Sequence, residues 1–196
     1  MTDTLPLRDL LVNIRNCDEC ADRLPLGPRP VLQADSSARL LIIGQAPGTR
    51  VHASGVPWDD PSGERLRDWL QLNSAEFYDA SKVAIVPMGL CYPGRGKSGD
   101  LPPDPSCAPK WHKSLFEQLP AVALTLLVGT FAQQYYLGAG GRNLTERVRN
   151  WRDYGPHYLP LPHPSPRNNL WLRRNSWFES EVLPALRARV SALALN

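Results

Sequence analysis

Three short stretches of this chain carry side chains suited to chemistry near neutral pH. His163-Pro164-Ser165-Pro166-Arg167-Asn168 hems a histidine in with prolines, which keeps it out of a helix and in a defined pose. A neutral histidine held this way can donate to a developing oxyanion. The plainer reading is an exposed histidine in a capped loop. Trp58-Asp59-Asp60 sets an aromatic ring beside two carboxylates just before a helix start, where acids serve either in chemistry or as caps. Gly44-Gln45-Ala46-Pro47-Gly48-Thr49 follows the apolar run Leu40–Ile43 and offers backbone amides and one side-chain amide, but no acid or base. It lacks the GxGxxG of a dinucleotide site and the Gly-Lys-Ser/Thr of a phosphate loop.

The four cysteines, Cys17, Cys20, Cys91 and Cys107, are a CxxC and two later residues in a Pro- and Gly-rich stretch. In a reducing compartment they are unsuited to structural disulfides. Two close and two distant thiols suggest a single four-thiolate site, which either an iron–sulfur cluster or zinc accepts. The alternative is scattered buried thiols. A thioredoxin-like redox motif fits less well, because Cys17 follows a helical pattern rather than a strand.

Two basic clusters, Arg142/Arg147/Arg149/Arg152 and Arg167/Arg173/Arg174, are interleaved with Trp151, Tyr154, Trp171 and Trp177. Basic groups among aromatics suit phosphate contact with base stacking; solvated arginines over core tryptophans are the alternative. The net charge of +3 does not decide between them.

These residues need a scaffold. The 196-residue chain, 42% hydrophobic and 21% charged, is long enough for a sizeable core and shows no composition break, so one domain over 1–196 is expected. No apolar run reaches bilayer length, so no membrane partner is expected. The N-terminal stretch has no positive start before an apolar core, which predicts no signal peptide and a cytoplasmic location. Apolar spacing predicts helices over 5–16, 63–72 (capped by Ser62), 108–118, 131–137 and most of 170–192, with a break near Pro184. Strands are predicted at 40–43, 83–86, 122–128 and 158–161, with long loops at 21–37, 44–61 and 89–106. Strands alternating with helices predict an α/β fold, a three-layer α/β/α sandwich around a mostly parallel four-stranded sheet. Ligands of such sheets bind at the carboxyl edge, where the long loops would gather.

Together, GQAPG after a strand, an aromatic and a carboxylate in the following loop, "LLVGTFAQQYYLG" at 126–138, and HPSP after a late strand resemble the uracil-DNA glycosylase superfamily over nearly the whole chain. The early CxxC, a third cysteine after the second strand and a fourth 16 positions on resemble its iron–sulfur branch, families 4 and 5. The resemblance implies a monofunctional enzyme of base excision repair, working as a monomer. It would flip a damaged base out of DNA and hydrolyse its N-glycosidic bond.

By the same resemblance, His163 is the donor toward the base O2, Gly44, Gln45 and Ala46 line the base pocket, and Trp58 stands where relatives stack a Phe. Ser165, Arg167 and Asn168 belong to the stretch that enters the minor groove, with Arg173 and Arg174 on phosphates. The four cysteines would hold a structural [4Fe-4S] cluster, or zinc. Two positions depart from the pattern. Relatives carry an acid at the position of Gln45 or Ala46, or, in family 5, in the later loop. Asp60 then becomes the expected carboxylate, with Asp59 second. Pro87 replaces the asparagine that reads uracil, so either hypoxanthine, xanthine or another deaminated base joins uracil as an expected base, or another group such as Gln45 reads the edge. A non-catalytic damaged-DNA-binding protein of the same fold is the alternative, and action on a nucleotide or other small glycoside is a third reading.

Overall fold

The computed structural model describes residues 5–97 and 99–195. Residues 1–4, part of the stretch read above for a signal peptide, lie outside them. The scaffold starts from β1 (Leu40–Ile43), four apolar residues all buried. A strand can be apolar at every position only if both its faces are covered. Leu40 and Ile42 join a core with Leu66, Trp69, Phe178 and Leu186, while Leu41 and Ile43 join another with Ile14, Leu115 and Ala132. Helices therefore cover both faces, giving the three-layer α/β/α sandwich.

Flanking β1 are β2 (Val83–Ile85) and β5 (Leu124–Val128), and β6 (Tyr158–Leu161) closes the sheet in the order β2-β1-β5-β6, every pair parallel. Pro160 cannot donate to a ladder, which suits β6 to the edge. One face carries α1 (Leu7–Arg15), α5 (Cys107–Glu117) and α6 (Thr130–Leu137). The other carries α3 (Pro61–Leu70), α7 (Leu144–Arg149) and α9 (Leu183–Ser191). A π-helical turn, Phe178–Val182, leads into α9 with Pro184 in its first turn, the break expected near that proline.

Several short elements occupy stretches read as loop or left without an assigned element. These are α2 (Thr49–Ser54), α4 (Ser74–Phe77) and a hairpin of β3 (Arg95–Gly96) with β4 (Gly99–Asp100); α8 (Asn169–Arg174) follows the HPSPRN stretch. Each is too short to show a periodic apolar pattern. Among the described residues no helix is long and apolar enough to cross a membrane.

The cap of α3 is not Ser62 as expected. Asp60 is the N-cap: its Oδ1 accepts the Gly63 N–H at 2.8 Å, and Ser62 lies buried in the first turn. Pro61 explains the shift, since the residue before a proline is driven to extended geometry and Pro is pre-set for the first helical position. Asp60 has φ −157° and ψ 173°. The chain then folds back so closely that a Cβ on Gly63 would collide with the Trp58 carbonyl oxygen and stand 2.7 Å from its carbon. Both are main-chain atoms that cannot turn aside. Gly63→Ala should therefore destabilise the protein by about 1–3 kcal/mol, read as a lowered urea midpoint at unchanged m.

Beneath the sheet edge, His112 on α5 is 2% exposed. Its Nε2 meets the Pro87 carbonyl at 3.1 Å and its Nδ1 meets the Tyr136 hydroxyl at 2.5 Å. Burial pushes the His112 pKa down to about 4, opposed by the bond to Pro87. The unfolded chain then binds a proton below about pH 6.5 that the native state refuses, so this group's stability contribution is complete above pH 6.5 and falls as pH drops toward 4. The urea midpoint should be lower at pH 5 than at pH 7, and His112→Gln should shrink that difference. An unchanged difference assigns the acid sensitivity elsewhere.

Candidate functional site

Because the strands are parallel, the segments leaving β1, β2 and β6 meet at one edge of the sheet. There they enclose a cavity of about 430 Å³, the size range of small-molecule sites. Gly44, Gln45, Ala46, Trp58, Asp60, His163, Ser165, Arg167 and Asn168 all line it. Pro87 is also on its wall. Asp59 is exposed and is not among the lining residues. Arg173 lines a separate open groove with Arg65 and Glu179, and Arg174 is exposed at the end of α8. In the other basic cluster, Arg142 pairs with Asp153 and Arg147 is buried against the Gly138 carbonyl. Arg149 and Arg152 lie over the rings of Trp177 and Trp151.

His163 is held from both sides. Its Nδ1 accepts the Ser165 N–H at 3.2 Å, its carbonyl accepts from Asn168 Nδ2 at 2.8 Å, and the Ser165 carbonyl accepts from Arg65 at 3.3 Å. A ring nitrogen that accepts cannot carry the proton, so the neutral ring is protonated at Nε2. Burial lowers the His163 pKa from its ordinary value, while the Asp60 and Asp100 carboxylates act the other way. The neutral, Nε2–H form is thus the one present at neutral pH. That is a donor without a full charge.

The Trp58 ring lies 5.5 Å from the His163 ring, tilted by 35°. It packs so tightly over the first turn that a Cβ on Gly44 would stand 2.8 Å from its Cζ2. Trp58 itself adopts φ 57°, a left-handed conformation costly for a bulky side chain. The surroundings over-determine it: its carbonyl accepts from Arg67 Nη1 and from the Tyr78 hydroxyl, both at 3.4 Å. Strain here is the cost of aiming the indole into the cavity.

Asp100 also lines the cavity, a residue the sequence reading passed over. It sits on β4, and the hairpin is tied to the site by Gln45, whose Nε2 donates to the Leu101 carbonyl at 3.2 Å, and by the Arg167 guanidinium packed on Gly99. The available signal was the length of the 89–106 loop, since a structureless loop of that size inside a domain is unusual.

All four cysteines line a second, small and largely apolar pocket with Leu24, Pro28, Pro30, Leu90, Pro93 and Trp111. Cys107 Sγ accepts the Leu90 N–H at 3.4 Å and Cys20 Sγ accepts from Arg23 at 3.3 Å. Burial pushes the Cys91 thiol up to about 11 and Cys107 to about 12. Among the described residues no group of three or more His, Cys, Asp or Glu is arranged to hold a metal ion. Four thiols in an apolar lining are the donor type that soft metals and clusters take. The adjoining segment also braces the cavity: Arg29 donates to the Ala53 carbonyl on α2 at 2.9 Å, and Pro25 packs on Gly94 before the hairpin.

Residues 32–187 match the family model for the uracil DNA glycosylase superfamily. The matched span takes in all four strands of the sheet and every cavity residue discussed above, while Cys17 and Cys20 fall before it. Over most of its length, from the lead into β1 to α9, the chain belongs to the uracil DNA glycosylase superfamily.

Proposed function

We propose that this protein is a monofunctional DNA glycosylase that releases uracil or another deaminated base from DNA by hydrolysis. The observation that carries this reading is His163 sharing one cavity with Trp58 and Asp60 while its Nδ1 accepts the Ser165 N–H, which leaves the Nε2–H of the neutral ring to donate. Breaking the C1′–N bond leaves a cationic sugar and an anionic base. The base stacks by Trp58 and is cradled by the Gly44-Gln45-Ala46 turn. His163 meets the charge growing on the base O2, and the Asp60 carboxylate meets the sugar cation, its Oδ1 anchored by the Gly63 N–H. A flipped base makes the reaction accessible. Ser165, Arg167 and Asn168 face the gap it leaves, and Arg173 and Arg174 hold flanking phosphates.

Pro87 offers no side-chain amide to read a base edge, and the Gln45 amide spends one N–H on the Leu101 carbonyl, keeping one N–H and its Oε1. The proline favours a specificity broader than uracil, taking in hypoxanthine and xanthine. On this reading the protein acts as a monomer in the cytoplasm. Cys17, Cys20, Cys91 and Cys107 would hold the [4Fe-4S] cluster of a family 4/5-like enzyme, or zinc in its place. Such a group supplies no step in bond cleavage. It would tie the 17–30 segment to the loop after β2 and to α5.

A second reading, a non-catalytic damaged-DNA-binding member, draws on the absence of an acid in the Gly44–Gly48 turn and on the capping role of Asp60. Single-turnover base release from duplexes carrying uracil, hypoxanthine or xanthine separates the two. Asp60→Asn and His163→Gln should each slow release by about 10²–10³-fold while leaving duplex affinity in place. Release by Asp60→Asn at the parent rate removes Asp60 from the mechanism. Tight, salt-dependent binding of abasic duplex with no base release favours the second reading.

Protein purified under air should be brown with broad visible absorption, and Cys17→Ser or Cys107→Ser should bleach it and lower its melting temperature. A colourless protein with stoichiometric zinc assigns the site to zinc. One with neither metal leaves the thiols as core residues.

A further inference from the structure

Two carboxylates, not one, face the cavity, and they are held differently. Asp60 has one oxygen engaged by the Gly63 N–H at 2.8 Å and its backbone set by Pro61. Asp100 comes from a different segment, the β4 strand of the hairpin. Its Oδ2 would lie 3.4 Å from a Cβ placed on Gly48, so it leans over the turn that follows β1. Among the described residues no hydrogen bond or ion pair holds its side chain. Asp60, Asp100 and His163 all line the one cavity, and both carboxylates oppose the burial that lowers the His163 pKa.

Hydrolysis asks two things of carboxylates that one group serves poorly at once. A stabiliser of the sugar cation should be fixed, with its dipoles already oriented. A general base needs a lone pair open to water and freedom to receive a proton. We propose that Asp100 is the general base of this site and that Asp60 is the fixed electrostatic partner of the sugar cation. This inference rests on the glycosylase reading above. In the step, the water oxygen bonds to C1′ and one water proton passes to the Asp100 carboxylate. The C1′–N bond breaks and its electron pair leaves with the base, whose charge faces the His163 Nε2–H. The released base and Asp100 then exchange protons with solvent, returning the free base and the carboxylate.

The hairpin that carries Asp100 is coupled to substrate recognition on both flanks. Gln45 of the base-pocket turn bonds to Leu101, and Arg167 of the His163 loop packs on Gly99. Assembly of the general base and docking of DNA thereby share the same residues.

The test is single-turnover base release at saturating enzyme by the wild-type full chain, Asp100→Asn, Asp100→Ala and, as a charge-matched surface control, Asp9→Asn. Duplex affinity and melting temperature are measured in parallel. Asp100→Asn should lose about 100-fold or more in rate with both parallel readouts unchanged. Asp100→Ala should regain rate with added formate, a small carboxylate able to take the water's proton. Asp9→Asn should match the wild type. A full rate in Asp100→Asn overturns the proposal. So does a rate loss that tracks lost affinity or lost stability and does not respond to formate, which assigns Asp100 to holding the hairpin. Wild-type protein that releases no base from any duplex overturns the glycosylase reading itself and this inference with it, a result distinct from the other two.

Discussion

All four strands of the sheet run the same way, and the site follows from that. Parallel strands leave the sheet at a common edge, so the segments after β1, β2 and β6 meet there although their residues are far apart in the chain. The arrangement requires β1 to be buried on both faces, which its unbroken Leu40-Leu41-Ile42-Ile43 run satisfies. Helices on either side then leave only the edge open to a ligand.

Around that edge, stability and chemistry compete for the same atoms. Asp60 ends a loop, caps α3 and faces the cavity. Its capping bond holds the carboxylate still but occupies one oxygen. Trp58, two residues earlier, is kept in a left-handed conformation by Gly63 beneath it and by donors on its carbonyl. His163 is kept neutral by burial even with two carboxylates nearby. At Trp58 a locally unfavourable conformation persists because neighbouring groups leave it no alternative.

The cysteine-bearing segment adds a second layer of support. Residues 17–30 lie before the span matched to the superfamily, yet they reach α2 through Arg29 and the approach to the hairpin through Pro25. Through Pro25 the segment between 17 and 30 also braces the approach to the hairpin that carries Asp100. The cavity's shape thus depends on residues that never face it.

Much of this was legible in the chain itself. Continuous apolar runs identified the four strands and their alternation with helices identified the layers, because burial on both faces leaves no other pattern. The Gly44–Gly48 turn, Trp58, Asp60 and the His163 loop were visible as residue types hemmed in by Gly and Pro. Their gathering into one cavity was not, since it depends on strand order. Asp100 was hidden for a different reason: a hairpin of two-residue strands has no periodicity to detect, and its place is set by contacts with Gln45 and Arg167 over long stretches of chain. The capping role of Asp60 over Ser62, the separation of Asp59 from the cavity and the tautomer of His163 likewise needed the fold, because each turns on which backbone N–H lies within reach. Sequence alone determined the sheet, its helical layers and the superfamily. Tertiary structure decided which carboxylates share a cavity with the histidine, because chain reversal, not residue type, sets those distances.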